Sequence, residues 1–142
     1  VHLYIKVKKL KFILSFLLKL IKEKKYGLKF NLIKFLCYNP HCSENKTIGN
    51  EDEIIKKSLS LFKNILGPFS ADTSFSKIKK NTLFISTYHD QVLIPFKALN
   101  TRMINITLGL KYRRLSPAHG TAKDIKFKNK ANINSYIECM KI

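Results

Sequence analysis

The chain has 142 residues, with 27 Lys+Arg against 9 Asp+Glu and a formal charge of +18 at neutral pH. That length is about one domain, and 45% hydrophobic residues exclude wholesale disorder, while 5 Gly and 4 Pro exclude a collagen-like or linker-like chain. Cys37, Cys42 and Cys139 are odd in number and contain no CxxC pair, which supports neither a disulfide framework nor a structural zinc knuckle. A reducing, intracellular compartment is expected, and with it a cytoplasmic location.

The charge is almost all lysine, since only Arg102, Arg113 and Arg114 are arginines, and the lysines run from Lys6 to Lys141 without gathering in one tract. Lys, Ile, Asn and Phe, which dominate the chain, all have A/T-rich codons. The excess therefore reads as solvated surface charge, with a polyanion-binding module as the alternative and nucleic acid not the expected partner.

In chain order, the first element is a helix over 8–25. Lys8, Lys11, Ser15, Lys19 and Lys22 form one polar stripe at the 3.6 period, and Gly27 follows as a stop. Its longest uncharged run, 12–18, is far short of the roughly 20 residues of a membrane span. No small-residue cleavage site follows it, so a packed helix is expected and neither a membrane anchor nor a signal peptide. Residues 31–38 read as a buried strand ended by Asn39-Pro40. Gly49 or Asn50 caps a second helix, with Glu51, Asp52 and Glu53 in its first turn. Its apolar face runs through Ile54, Ile55, Leu59, Phe62, Ile65 and Leu66, and Gly67-Pro68 ends it. A strand is expected over 81–87, a short helix over 90–99 and a third strand over 103–108, which 112–116 extends or pairs. A basic loop carrying Lys123, Lys126, Lys128 and Lys130 precedes a last amphipathic helix over 132–141. This alternation predicts an α/β fold with a largely parallel sheet.

Three of the four histidines follow predicted strands: His41 in Asn39-Pro40-His41, His89 in Tyr88-His89-Asp90-Gln91, and His119 in Ala118-His119-Gly120-Thr121. The carboxyl ends of strands line the ligand crevice of open α/β sheets, so three imidazoles arriving there point to a shared site. No HExxH or other short-range ligand pair accompanies them.

Residues 39–50 (NPHCSENKTIGN), 66–73 (LGPFSADT), 88–97 (YHDQVLIPFK), 104–110 (INITLGL) and 114–121 (RLSPAHGT) resemble, in order and approximate spacing, successive motifs of 4-hydroxythreonine-4-phosphate dehydrogenase. The match is best over 28–142 and looser over the amphipathic 1–27. The resemblance implies one partial α/β domain: the C-terminal half of a three-layer α/β/α fold like that of isocitrate and isopropylmalate dehydrogenases. It implies NAD-dependent oxidation, with decarboxylation, of 4-phosphohydroxythreonine in vitamin B6 synthesis, by a homodimer whose metal site takes ligands from both subunits. By the same resemblance His41 and His89 match two ligands of a divalent metal (zinc, magnesium or cobalt) and His2 stands near the place of the third. Lys97, Asn105 and Arg114 match the residues that bind the small phosphorylated amino-acid substrate; no catalytic or NAD-binding residue is assigned. A fork at Arg114 and a cation at Lys97 suit a phosphate and a carboxylate.

The sequence departs from the family pattern Gly-Leu-Asn-Pro-His-Ala-Gly-Glu, which here reads Cys37-Tyr38-Asn39-Pro40-His41-Cys42-Ser43-Glu44. Val92 and Lys111 stand where the pattern has glycine and proline, and Ala118 where it has the Asp before His-Gly-Thr. The family's first half is missing and the chain begins at Val1, as a gene fragment or an alternative start would. Turnover by this stretch alone is not expected, and a catalytically inactive remnant or partner subunit that keeps the phosphate site is the alternative reading.

Overall fold

A computed structural model of the chain describes residues 6–99, 102–118, 120 and 123–142. His2 and His119 lie outside these described residues. The backbone gathers into two units, Val1–Leu93 and Ile94–Ile142.

The first unit is organised by a parallel sheet. Its middle strand is β1 (Leu32–Leu36), flanked by β2 (Leu66–Phe69) and β3 (Thr82–Ile85). The middle place explains the apolar run in the sequence, interrupted by the half-buried Lys34, because Ile33, Phe35 and Leu36 are all buried. Pairing with β3 is regular from Leu32 opposite Thr82 to Phe35 opposite Ile85, whereas pairing with β2 slips between Lys34–Leu66 and Leu36–Phe69. Helix α1 (Val7–Lys22) lays Leu14 into the core of Ile33, Phe35, Ile55, Leu59 and Ile65, with Leu10, Leu18 and Ile21 packed against it. No helix among the described residues is long and apolar enough to cross a membrane.

Helix α2 (Glu51–Leu59) starts after Asn50 as expected, with Glu51, Asp52 and Glu53 in its first turn. It does not continue through Phe62 and Ile65 to a stop at Gly67-Pro68; residues Leu66–Phe69 form β2 instead. Two features of that dipeptide suit an edge strand. Gly67 has φ +131°, and a Cβ on it would lie 2.5 Å from the Phe35 carbonyl oxygen, so the glycine allows close approach to β1. Pro68 has no N–H to give to a further strand, and among the described residues none pairs with the outer side of β2. The peptide between them is cis.

A short helix α3 (Ala71–Ser74) follows β2, and α4 (His89–Leu99) follows β3; the boundary between the two units falls inside α4. In the second unit β4 (Ile104–Thr107) and β5 (Arg114–Pro117) form an antiparallel pair, so 112–116 pairs with the third predicted strand in part and does not extend it. Helix α5 (Asn134–Met140) is tied to this pair where the Met103 N–H donates to Ser135 Oγ at 3.2 Å. The α/β class is as expected, but among the described residues only three strands are parallel, and β4 and β5 form their own two-stranded sheet.

Phe35 has no exposed surface and Phe12 is 73% exposed. Phe35→Ala is therefore expected to lower the unfolding free energy of the 142-residue chain by about 3–5 kcal/mol, and Phe12→Ser by less than about 0.5 kcal/mol, in urea titrations. Equal losses would contradict this packing.

Candidate functional site

The three parallel strands end at the same edge, and each end delivers a side chain able to ligate or to orient a ligand. β1 leads through Asn39 and Pro40 to His41, β2 leads to Ser70 and Asp72, and β3 leads to His89 at the start of α4. Two contacts tie the His41 and His89 segments together. The rings of Tyr38 and Tyr88 meet edge to face with centroids 6.0 Å apart, and Gln91 Nε2 donates to the Cys37 carbonyl oxygen at 2.5 Å.

Each imidazole has a carboxylate at Nδ1. His41 Nδ1 lies 3.7 Å from Asp72 Oδ2, and His89 Nδ1 lies 2.7 Å from Asp90 Oδ1. The His89 contact is of hydrogen-bond length, and with Nδ1–H given to Asp90 the His89 Nε2 keeps its lone pair for a metal or a proton; the His41 contact is a longer charge contact. Neither aspartate was selected by reading the sequence; Asp90 could have been found from the adjacent His-Asp pair, while Asp72 meets His41 only because β1 and β2 are neighbours. The donor chemistry fits a divalent metal, and imidazole nitrogen favours zinc or cobalt over magnesium, which prefers oxygen. Among the described residues, however, no three His, Cys, Asp or Glu side chains converge closely enough to hold an ion.

The His41 segment is conformationally costly. His41, Cys42, Ser43, Glu44 and Asn45 all have positive φ, between 40° and 69°, and Lys46 continues the run at 77°. A left-handed conformation costs a non-glycine residue roughly 1–2 kcal/mol, so six in succession need strong fixing. Asp52, 4% exposed, supplies much of it: its carboxylate accepts the N–H of Tyr38 at 2.5 Å and of Asn39 at 3.1 Å, and the Ser43 hydroxyl at 2.6 Å. Asn39 Nδ2 donates to Ser43 Oγ and Glu51 Oε2. A second tie is covalent. Cys37 and Cys42 form a disulfide, which corrects the expectation drawn from counting cysteines; the pair closes a local loop between the end of β1 and the turn. Cys139 is free.

Lys97, Asn105 and Arg114 belong to the second unit, where all three are exposed. Asn105 opposes Ser116 and Thr107 opposes Arg114 across the β4–β5 pair, so Asn105 and Arg114 share one face of it. Arg114 Nη1 donates to Thr107 Oγ1 at 2.9 Å, which steadies the guanidinium. Thr107 carried no signal of its own in the sequence.

The Ser70 hydroxyl, 2.6 Å from Asp72 Oδ1, holds the Asp72 carboxyl below its ordinary 3.8 against the opposing effect of desolvation, with smaller contributions in the same direction from the Thr73 N–H and the His41 charge. Asp72 thus stays ionised to lower pH than a free aspartate and keeps facing His41 there. Ser70→Ala is expected to move the Asp72 titration upward towards 3.8, followed by carboxyl carbon NMR; an unmoved or lowered titration would contradict the assignment of the cause.

Comparison with known proteins bears on the whole chain. The family model for the pyridoxal phosphate biosynthetic protein PdxA matches residues 1–142. The 4-hydroxythreonine-4-phosphate dehydrogenase of a Hydrogenobaculum species is 43% identical over 121 residues, spanning 83% of this chain and 39% of that protein. The protein of the same name from Campylobacter fetus is 45% identical over 123 residues, spanning 80% and 40%. A solved 4-hydroxythreonine-4-phosphate dehydrogenase from Klebsiella pneumoniae superposes with a TM-score of 0.73 at 26% identity, covering 97% of this chain and 44% of that one. The chain spans about two-fifths of the length of these relatives. With a family model matched from end to end, it belongs to the PdxA family of pyridoxal phosphate biosynthetic proteins.

Proposed function

We propose that the chain is the metal- and substrate-binding portion of a 4-hydroxythreonine-4-phosphate dehydrogenase that works in the cytoplasm as a homodimer and oxidises 4-phosphohydroxythreonine with NAD in vitamin B6 synthesis. The observation that carries this reading is the arrival of His41 with Asp72 and His89 with Asp90 at the carboxyl ends of three adjacent parallel strands. Relatives named as dehydrogenases support the oxidoreductase class.

In this reading His41 and His89 hold the divalent metal, and a ligand from outside the described residues, His2 or a partner subunit's side chain, completes the set. When bound, the metal acts as a Lewis acid on a substrate oxygen. Asp90 fixes the tautomer and ring orientation of His89 by its hydrogen bond to Nδ1, and Asp72 places a negative charge beside His41. Arg114, steadied by Thr107, offers a planar fork to a phosphate or carboxylate, and Lys97 offers a mobile point charge. Asn105 both donates and accepts towards a hydroxyl or amine on the same substrate. NAD is the hydride acceptor that such an oxidation requires, and no residue described here is assigned to hold it.

The test is calorimetric binding of 4-phosphohydroxythreonine to the chain with Zn²⁺ present. Arg114→Ala is expected to weaken it by roughly tenfold or more, as loss of a charge-assisted pair does, while Lys128→Ala leaves it unchanged. Duplex DNA binding at low salt should fall equally little in both variants. Unchanged substrate binding by Arg114→Ala, or sequence-selective DNA binding that both variants lose, would overturn the reading in favour of a polyanion-binding module.

A further inference from the structure

The geometry points to Cys37–Cys42 as a reversible thiol–disulfide site that governs the loop bearing His41, with small thiols as its reaction partners. The two cysteines bracket Tyr38, Asn39, Pro40 and His41 and are bonded with their Cα atoms 5.1 Å apart. Neither belongs to the family pattern, which has glycine and alanine at these positions. The same pattern has glycine where Ser43 stands at φ 69°, so a side chain is carried there at conformational cost, and the disulfide adds a covalent tie across the left-handed run. A segment so strained holds its form only while its surroundings over-determine it, which makes the tie a control point.

Access is asymmetric. Cys37 is fully buried, whereas Cys42 is partly exposed and lines a polar cleft of about 530 Å³ together with Lys46, Lys56 and Pro68. A small thiolate entering the cleft attacks Cys42 Sγ. The new S–S bond forms as the Cys37–Cys42 bond breaks, and Cys37 leaves as a thiolate that takes up a proton. A second small thiol attacks the mixed disulfide, releasing Cys42 as a thiol and the small thiol as its own disulfide. Two electrons pass into the protein pair, and oxidised glutathione reverses both steps. Reduction leaves Asp52 as the main remaining tie on the turn, so His41 is held beside Asp72 less firmly. The proposal concerns the loop itself and stands whether or not His41 binds a metal.

The experiment follows hydrogen exchange by mass spectrometry on the 142-residue chain, over residues 38–48 and over the reference helix 7–22. Thiol counting accompanies it, after oxidised glutathione and after dithiothreitol. We expect one reactive thiol in the oxidised chain and three in the reduced chain. Exchange over 38–48 should rise by about tenfold or more on reduction with 7–22 unchanged. Cys42→Ser should show the raised exchange without reduction and no response to dithiothreitol. Three reactive thiols after oxidised glutathione, exchange over 38–48 that ignores reduction, or a rise that spreads to 7–22 would each overturn the proposal, the last by showing a staple of the fold and not a local control.

Discussion

Everything in the first unit follows from the pairing of β1 with a parallel neighbour on each side. Parallel strands put all their carboxyl ends at one edge, so the two crossovers leave from that edge after β1 and β2, and α4 starts there after β3. His41, Asp72 and His89 sit shortly after those strand ends. The burial of Ile33, Phe35 and Leu36 fixes the register, because a slip of one residue would carry Phe35 out of the core. The histidines inherit their placement from that hydrophobic constraint.

Position alone does not make a ligand. The turn after β1 adopts a left-handed backbone that its residue types disfavour, and a nearly buried carboxylate on the neighbouring helix holds it in place. Asp52 also works as an acidic residue in the first turn of α2, where the helix dipole favours it. One side chain therefore joins the start of a helix, the end of a strand and the loop that carries His41. The Asp90 carboxylate adds orientation to placement at His89, through a hydrogen bond to Nδ1, while Asp72 faces His41 at the longer distance of 3.7 Å.

Much of this was legible in the residues. The polar stripe from Lys8 to Lys22 gave α1, the apolar run before Asn39-Pro40 gave β1, and His41 and His89 follow strands β1 and β3 as their strand-to-loop positions indicated. What escaped was non-local. Gly67-Pro68 reads as a helix stop in isolation and becomes an edge strand only beside the Phe35 carbonyl. Asp52 clamps amides 13 and 14 residues away, and no periodicity announces that. An odd cysteine count hides the Cys37–Cys42 pair, whose members meet only because the chain turns back between them after β1. Lys97, Asn105 and Arg114 are candidates only through the family motifs, since composition and spacing do not separate them from ordinary surface residues.

The central claim is that the ends of β1 and β3 serve one ion. Histidine-ring NMR of the chain during titration with substoichiometric Co²⁺ tests it most directly, since a paramagnetic ion perturbs the nuclei nearest to it. The account predicts that the His41 and His89 ring signals shift or broaden together, at the same ratio of ion to protein, and that His41→Ala abolishes the effect at His89. Perturbation of one ring without the other, or of neither, would contradict it.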